Sequence, residues 1–203
     1  MAIKDGMNIV ERFIKRLFDF FCSFFGLLVL SPVFLLVYIS LKLQRDGSVI
    51  FSQERIGYKG KSFKIYKFRT MRTDSESEGT PLLAVKNDER LTKVGKFLRE
   101  HHLDELPQLF NVLIGDMSFV GPRPERQFFI DKIKEVNPNY DYLFLLRPGI
   151  TSMATIYNGY TDTMEKMLIR LDMDLEYLQN RSLWLDFKII VTTVLNIVKG
   201  KKF

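Results

Sequence analysis

Residues 20–41 read FFCSFFGLLVLSPVFLLVYISL, twenty-two residues without a charge and with Ser31-Pro32 near the middle. A straight helix of that length, rising about 1.5 Å per residue, reaches roughly 33 Å and covers a hydrocarbon core. Pro32 works against a straight helix, because it has no N–H and its ring meets the carbonyl four residues earlier. Ser31 can bond to nearby backbone and help the bend. Basic residues flank the run on both sides, with Arg12, Lys15 and Arg16 before it and Lys42 and Arg45 after it. A single-pass helix carries its basic bias on one side. Three structures compete for such a run: a re-entrant hairpin, a straight span and a buried helix of a soluble core. The break and the doubled basic flank favour the hairpin, with Ser31 and Pro32 as the membrane break. Asp19 and Ser23 fall near its entry end, where polar atoms reach the interface.

Around this anchor, 203 residues suit one further domain. The chain divides into 1–46, an amphipathic helix leading into the hairpin, and 47–203, a compact domain. The expected class is α+β, mainly helical, with a small β element. A hydrophobic content of 46% leaves enough apolar residues for a core beside the anchor. Net charge is +6, which suits anionic lipid headgroups, phosphorylated substrates or nucleic acid. The single cysteine, Cys22, excludes an intrachain disulfide framework or a cysteine-based metal site. The first sixteen residues do not resemble a signal peptide, since the apolar run is too long and no small-residue cleavage site follows.

Met7, Ile9, Val10, Phe13, Ile14 and Leu17 repeat at helical spacing and lead into the anchor. Val49–Gln53 and Ser62–Phe68 read as short strands joined by a turn at Gly57 and Gly60. Residues 73–90 are polar and read as a mobile loop. Helices are expected over Thr92–Glu100, from Pro107 to about Leu113, and over Gln127–Val136. Asp162 with Glu165 resembles a capping box opening a helix to about Gln179. The C-terminal stretch places Leu183, Trp184, Phe187, Ile190, Val191, Val194, Leu195 and Val198 on a broad apolar stripe, with Lys188, Lys199, Lys201 and Lys202 beside it. An interfacial helix with a Trp anchor and a terminal core helix both produce this pattern.

The residues able to do chemistry are an acidic pair and several cations. Asp104-Glu105 stands just before Pro107. Acidic groups at a helix start are ordinarily stabilised by free N–H groups and the helix dipole. A paired carboxylate can also hold a divalent metal, with one carboxylate free to attack phosphorus. Lys67 and Arg69 flank Phe68 at a strand end, where cations are usually solvated but can grip phosphate, Arg bidentately. In Gly121-Pro122-Arg123-Pro124 two prolines stiffen the backbone around one Arg, so little entropy is lost when it binds an anion. Arg147-Pro148-Gly149 repeats the device. His101 and His102 are adjacent, point different ways and read as surface or packing residues. No dinucleotide, P-loop, zincin or nucleophile-elbow signature is present.

Several longer motifs, in order, resemble the bacterial sugar transferases, the monotopic phosphoglycosyl transferases. They are Phe51-Ser52-Gln53-Glu54-Arg55-Ile56-Gly57, Lys67-Phe68-Arg69-Thr70-Met71, Asn87-Asp88-Glu89-Arg90-Leu91-Thr92, Leu103-Asp104-Glu105-Leu106-Pro107-Gln108-Leu109, residues 115–124 and Arg147-Pro148-Gly149-Ile150-Thr151. The resemblance covers nearly the whole chain and is to the form without the extra N-terminal membrane helices of longer relatives. It implies transfer of a sugar 1-phosphate from a UDP-sugar to polyprenyl phosphate, giving UMP and a polyprenyl-diphosphate-linked sugar for a surface glycan such as capsule or O-antigen. Asp104 would attack the β-phosphate to form a phosphosugar ester, and Glu105 would assist proton transfer or metal placement. Mg²⁺ would be held by Asp104 and Glu105. Lys67, Arg69, Arg99, Arg123 and Arg147 would bind substrate. The partners implied are the UDP-sugar, polyprenyl phosphate and membrane lipid, without nucleic acid, at the cytoplasmic face of the bacterial inner membrane. The oligomeric state stays open, a dimer being one option. Tyr160 stands where relatives often carry Arg, and His101-His102 replace a more usual polar lead to the acidic pair. The rival expectations are a non-catalytic membrane-bound binder of anionic ligands and a polyprenyl diphosphate phosphatase.

Overall fold

The computed structural model describes residues 3–44, 47–73, 88–159 and 161–200. Most of the expected loop at 73–90, the flank residue Arg45, the Tyr160 position, and Lys201 and Lys202 lie outside the described residues. The fold is mainly helical with two small sheets. Helix α1, Ile9–Val29, opens on a capping box in which Asn8 and Glu11 satisfy each other's backbone N–H groups. It stops at Leu30, and α2, Ser31–Leu43, leaves at 60°. Pro32 sits in the first turn of α2, where a missing N–H costs nothing. The Ser31 hydroxyl donates to the Leu28 carbonyl at 2.8 Å, which takes up an acceptor left free at the break. Among the described residues no single helix is long and apolar enough to cross a membrane; the bent pair together meets that length and composition.

Both ends of the bent pair pack on the rest of the molecule. On α1, Lys15 donates to the Val120 carbonyl at 3.0 Å and pairs with Asp186. Arg16 donates to the Val112 and Leu113 carbonyls at 2.7 and 2.8 Å, at the C-terminal end of α4 (Gln108–Ile114). Asp19 and Ser23 do not sit at a lipid interface as expected. Asp19 is 2% exposed and accepts the Phe119 N–H at 3.1 Å, and Ser23 is fully buried with its hydroxyl on the Phe20 carbonyl. A buried strand N–H needs an acceptor, and the helix lying against it supplies one. From α2, Val37 and Leu41 join Val49, Phe68 and Leu98 in a core cluster.

Strands β1, Ile50–Ile56, and β2, Ser62–Phe68, pair antiparallel from Ile50↔Phe68 to Ile56↔Ser62. β1 extends three residues past its expected end at Gln53, because pairing continues to the turn at Tyr58–Gly60. β3 (Ser118–Val120) and β4 (Gly149–Thr151) form a parallel pair that the sequence pattern does not announce, since three residues are too few to show alternation. Helix α3, Lys93–Glu100, is capped by Thr92, whose hydroxyl accepts the Gly95 N–H at 2.9 Å. Helices α5 (Gln127–Val136) and α7 (Met164–Asn180) pack with the 3-10 segment 138–145 around Ile130, Ile133 and Leu171. Helix α6, Met153–Tyr157, joins β4 to the approach to α7. The cap of α7 is Thr163 rather than Asp162, which pairs with Lys166 at 2.6 Å instead. Helix α8, Leu183–Val198, packs on the core through Asp186, Ile189 and Asn196, which are buried, and leaves Trp184, Phe187, Val194 and Val198 exposed.

Candidate active site

The acidic pair lies in a single 3-10 turn, Leu103–Glu105, between α3 and α4. The turn is set by His102, which adopts a left-handed conformation at φ 54°, ψ 20°. A residue with a Cβ held there carries about 1 kcal/mol or more of strain, and such strain concentrates where the chain must present specific groups. Pro107 follows as the N-cap of α4. Asp104 is 6% exposed, and the Glu105 side chain is half-buried at 19%.

Three of the expected cations converge on this turn. Lys67, at the end of β2, places Nζ 2.6 Å from Glu105 Oε1. Arg123 Nη1 lies 3.7 Å from the same oxygen. Arg99, steadied by its Nε bond to the Thr70 hydroxyl at 3.1 Å, attracts the Asp104 carboxylate from α3. The two carboxyls consequently differ. Burial, then the Glu105 charge, push Asp104 above its ordinary value, and Lys67 and Arg99 only partly offset them. Burial pushes Glu105 up as well, but Lys67 and Arg123 outweigh it and hold that carboxyl at about 2. Neighbouring carboxyls driven apart in this way take different chemical roles.

Arg69 and Arg147 are not brought to the pair. Arg69 donates from Nε to the Ser48 carbonyl at 2.7 Å and from Nη2 to the Ser48 hydroxyl at 2.6 Å. Arg147 donates to the Gly115 carbonyl at 2.9 Å, at the end of α4, and stacks on Tyr58 with 5.0 Å to the ring centre. Both guanidinium groups brace backbone. His101 is exposed and lies tilted against Phe97, with centroids 4.2 Å apart and planes at 35°.

The loop carrying Arg123 is seated by a close backbone approach. A Cβ on Gly121 would fall 2.3 Å from the Arg147 carbonyl oxygen, and one on Gly149 would fall 2.1 Å from Gly121 N. That contact lets Gly121 N–H reach Thr151 O at 3.1 Å and Gly149 N–H reach Pro122 O at 2.9 Å. Behind the loop stands a group of charges that sequence reasoning missed: the buried Glu125, Arg170 and Asp174, with the half-buried Arg55 beside them. One signal for them exists. Asp174 falls seven residues after Met167, three after Leu171 and four before Leu178, so a carboxyl occupies the apolar face of α7.

A family model for the bacterial sugar transferases matches residues 10–200. The chain is 41% identical over 191 residues to a UDP-N-acetylgalactosamine-undecaprenyl-phosphate N-acetylgalactosaminephosphotransferase of Aeromonas hydrophila, across 94% of this chain and 45% of that one. It is 45% identical over 192 residues to a UDP-glucose:undecaprenyl-phosphate glucose-1-phosphate transferase of Klebsiella pneumoniae, across 94% and 40%. It is 42% identical over 200 residues to the exopolysaccharide production protein PSS of Rhizobium leguminosarum bv. phaseoli, across 96% and 100%. The chain thus spans less than half the length of the first two relatives and the full length of the third. A match over this much of the chain, with the acidic turn and its cations inside it, means that the chain belongs to the bacterial sugar transferase family.

Proposed function

We propose that the protein transfers a sugar 1-phosphate from a UDP-sugar to undecaprenyl phosphate, releasing UMP and forming undecaprenyl-diphosphate-sugar. The observation that carries this reading is the Asp104-Glu105 turn, with Asp104 buried, its carboxyls split and three cations converging on it. The named activities of the Aeromonas and Klebsiella relatives supply the substrate classes. Lys67, Arg99 and Arg123 bind the donor's diphosphate beside the turn. An Asp104 carboxylate oxygen attacks the β-phosphorus, a new O–P bond forms, and the bond to UMP breaks with its electron pair leaving on UMP. A phosphate oxygen of undecaprenyl phosphate then attacks the aspartyl phosphosugar and restores the carboxylate. Glu105, drawn below the usual carboxylate range by Lys67 and Arg123, is suited to staying ionised as a metal ligand.

Among the described residues no cluster of three or more His, Cys, Asp or Glu could form a complete metal cage. Mg²⁺ typically takes one or two carboxylates and completes its shell with water and substrate phosphates. Asp104 and Glu105 fit that donor set, and the burial that lifts the Asp104 carboxyl leaves it short of counter-charge. When bound, Mg²⁺ would neutralise charge on the diphosphate and on the departing UMP.

The bent pair supports a reading of the location as well. Its two ends pack on one domain, its flanks are basic, and the outward face of α8 is apolar beside Lys188. These features support a monotopic protein on the cytoplasmic face of the bacterial inner membrane, its hairpin entering the bilayer and returning. A soluble donor and a lipid acceptor meet at that surface.

The test is UMP release by purified protein with undecaprenyl phosphate, Mg²⁺ and a panel of UDP-sugars. Sustained UMP formation with one or more donors is expected, and EDTA should lower the rate at least about 100-fold until Mg²⁺ is restored. Inorganic phosphate in place of UMP would identify a phosphatase, and lipid binding without either product a non-catalytic binder. The cations should separate in the same assay. Lys67→Ala is expected to lose about 100-fold in turnover, because a charge aimed at the reacting group is removed. Arg69→Ala should lose less than about fivefold, since Arg69 braces Ser48. Equal losses would place Arg69 in the site.

A further inference from the structure

Arg123 is not held by its two prolines alone. The next acidic residue, Glu125, is buried and gripped from two sides. Arg170 of α7 places Nη2 2.7 Å from Oε1, and Arg55 of β1 places Nη1 3.3 Å from Oε2. The Arg55 group also donates to the Pro124 carbonyl at 3.2 Å, and the Glu125 carbonyl accepts the Ile56 N–H at 3.0 Å. Arg170 is itself steadied by the Thr161 hydroxyl at 2.7 Å. Thus a strand of the first hairpin and a helix from the far end of the chain meet on the residue two positions after Arg123.

The cluster is rich in positive charge. Burial, then the nearby Arg123, Arg126 and Arg170 cations, draw the Arg55 guanidinium down to about 10, against the pull of Glu125. Asp174, one turn after Arg170, is 2% exposed, and its Oδ1 has no hydrogen-bond partner among the described residues. Burial pushes its carboxyl up to about 7, so its counter-charge is incomplete near neutral pH. The cavity lined by Asp174 and Arg170 is lined by Arg123 as well. Glu125 is therefore the firm anion in a group of cations that would otherwise repel one another.

We propose that Glu125 is a positioning residue: gripped by Arg55 and Arg170, its carboxylate fixes Pro122-Arg123-Pro124 so that Arg123 is presented to Glu105 and to the donor's diphosphate. This rests on the reading above that Arg123 binds the donor. Neutralising Glu125 leaves the buried Arg170 guanidinium and the half-buried Arg55 guanidinium without their common partner. They then push against Arg123 and Arg126 or turn toward Asp174, and the loop shifts. A displacement of about 1 Å in a binding group can cost about 100-fold in rate.

The experiment is a double-mutant cycle on the full chain in detergent, with UDP-glucose or UDP-N-acetylgalactosamine, whichever turns over, and kcat/KM for the donor as readout. Glu125→Gln is expected to lose about 30-fold in the parent and less than about threefold in an Arg123→Ala background, because a residue acting through Arg123 has nothing left to position. Arg170→Gln, remote from the acidic turn, should show the same coupling and serves if Glu125→Gln does not fold. Equal losses in both backgrounds overturn the inference and leave the reading of Arg123 standing. Parental turnover by Arg123→Ala overturns that reading and the inference with it.

Discussion

Asp104→Asn is expected to lower turnover at least about 1,000-fold while leaving the protein as stable as the parent or more so. The amide cannot attack phosphorus, so the covalent route closes. The stability half follows from the environment of Asp104. Its carboxyl is raised in the fold, by burial first and then by Glu105. A raised carboxyl contributes stability that is present below its unfolded value and is lost as pH rises through the folded value. The ionised form of Asp104 is thus the less stable one in EDTA, and an uncharged amide of the same shape avoids that cost. The variant should therefore melt no lower than the parent when both are held in EDTA. The difference between variant and parent should shrink as pH falls below the folded value. Incubation with labelled UDP-sugar alone should tag the parent and not the variant. A tagged variant would remove Asp104 from the nucleophile's role. A variant that melts well below the parent would mean that the carboxylate holds the turn together.

The acidic turn was legible because a proline follows Asp104-Glu105 after a single residue, and the helices on either side have recognisable caps. The surrounding cations were only half legible. Lys67 and Arg69 look alike in the sequence, two residues apart at a strand end. Only the fold shows that one reaches Glu105 and the other turns back to Ser48. Arg123 and Arg147 are similarly alike as rigid-turn arginines, and they separate because Gly115, at the end of α4, offers Arg147 a carbonyl. The grip on Glu125 was out of reach, since it joins residues 45 and 70 positions apart in the chain. Asp19 was misplaced for a related reason. A polar residue at the edge of an apolar run signals an interface only when no buried donor lies opposite, and here the Phe119 N–H does.

The other large effect concerns the bend at Leu30. Ser31→Leu with Pro32→Leu is expected to lower turnover more than about tenfold without moving the N-terminus across the membrane. A backbone N–H at position 32 can bond to the Leu28 carbonyl, which now accepts the Ser31 hydroxyl, so a continuous helix becomes favourable. From Ile9 to Leu43 that helix is roughly 52 Å long at about 1.5 Å per residue. It cannot stay straight and keep both ends docked on one domain, so one end must release. The α1 end is tied by Lys15 to Asp186 and the Val120 carbonyl, by Arg16 to two α4 carbonyls, and by Asp19 to the Phe119 N–H. Undoing it would strand buried charges. The α2 end is held by Val37 and Leu41 against Val49, Phe68 and Leu98, apolar contacts that lipid can replace. The α2 end should therefore give way, pulling on Phe68 beside Lys67 and on Leu98 beside Arg99. Lys4→Cys and Lys61→Cys in a Cys22→Ser background report the topology, since both lysines are exposed. An impermeant thiol reagent added to intact cells should label neither position, in the parent or in the double variant, and both after lysis. Labelling of either position in the parent would rule out a hairpin, and full activity of the double variant would show that the bend does not set where the acidic turn meets the lipid phosphate.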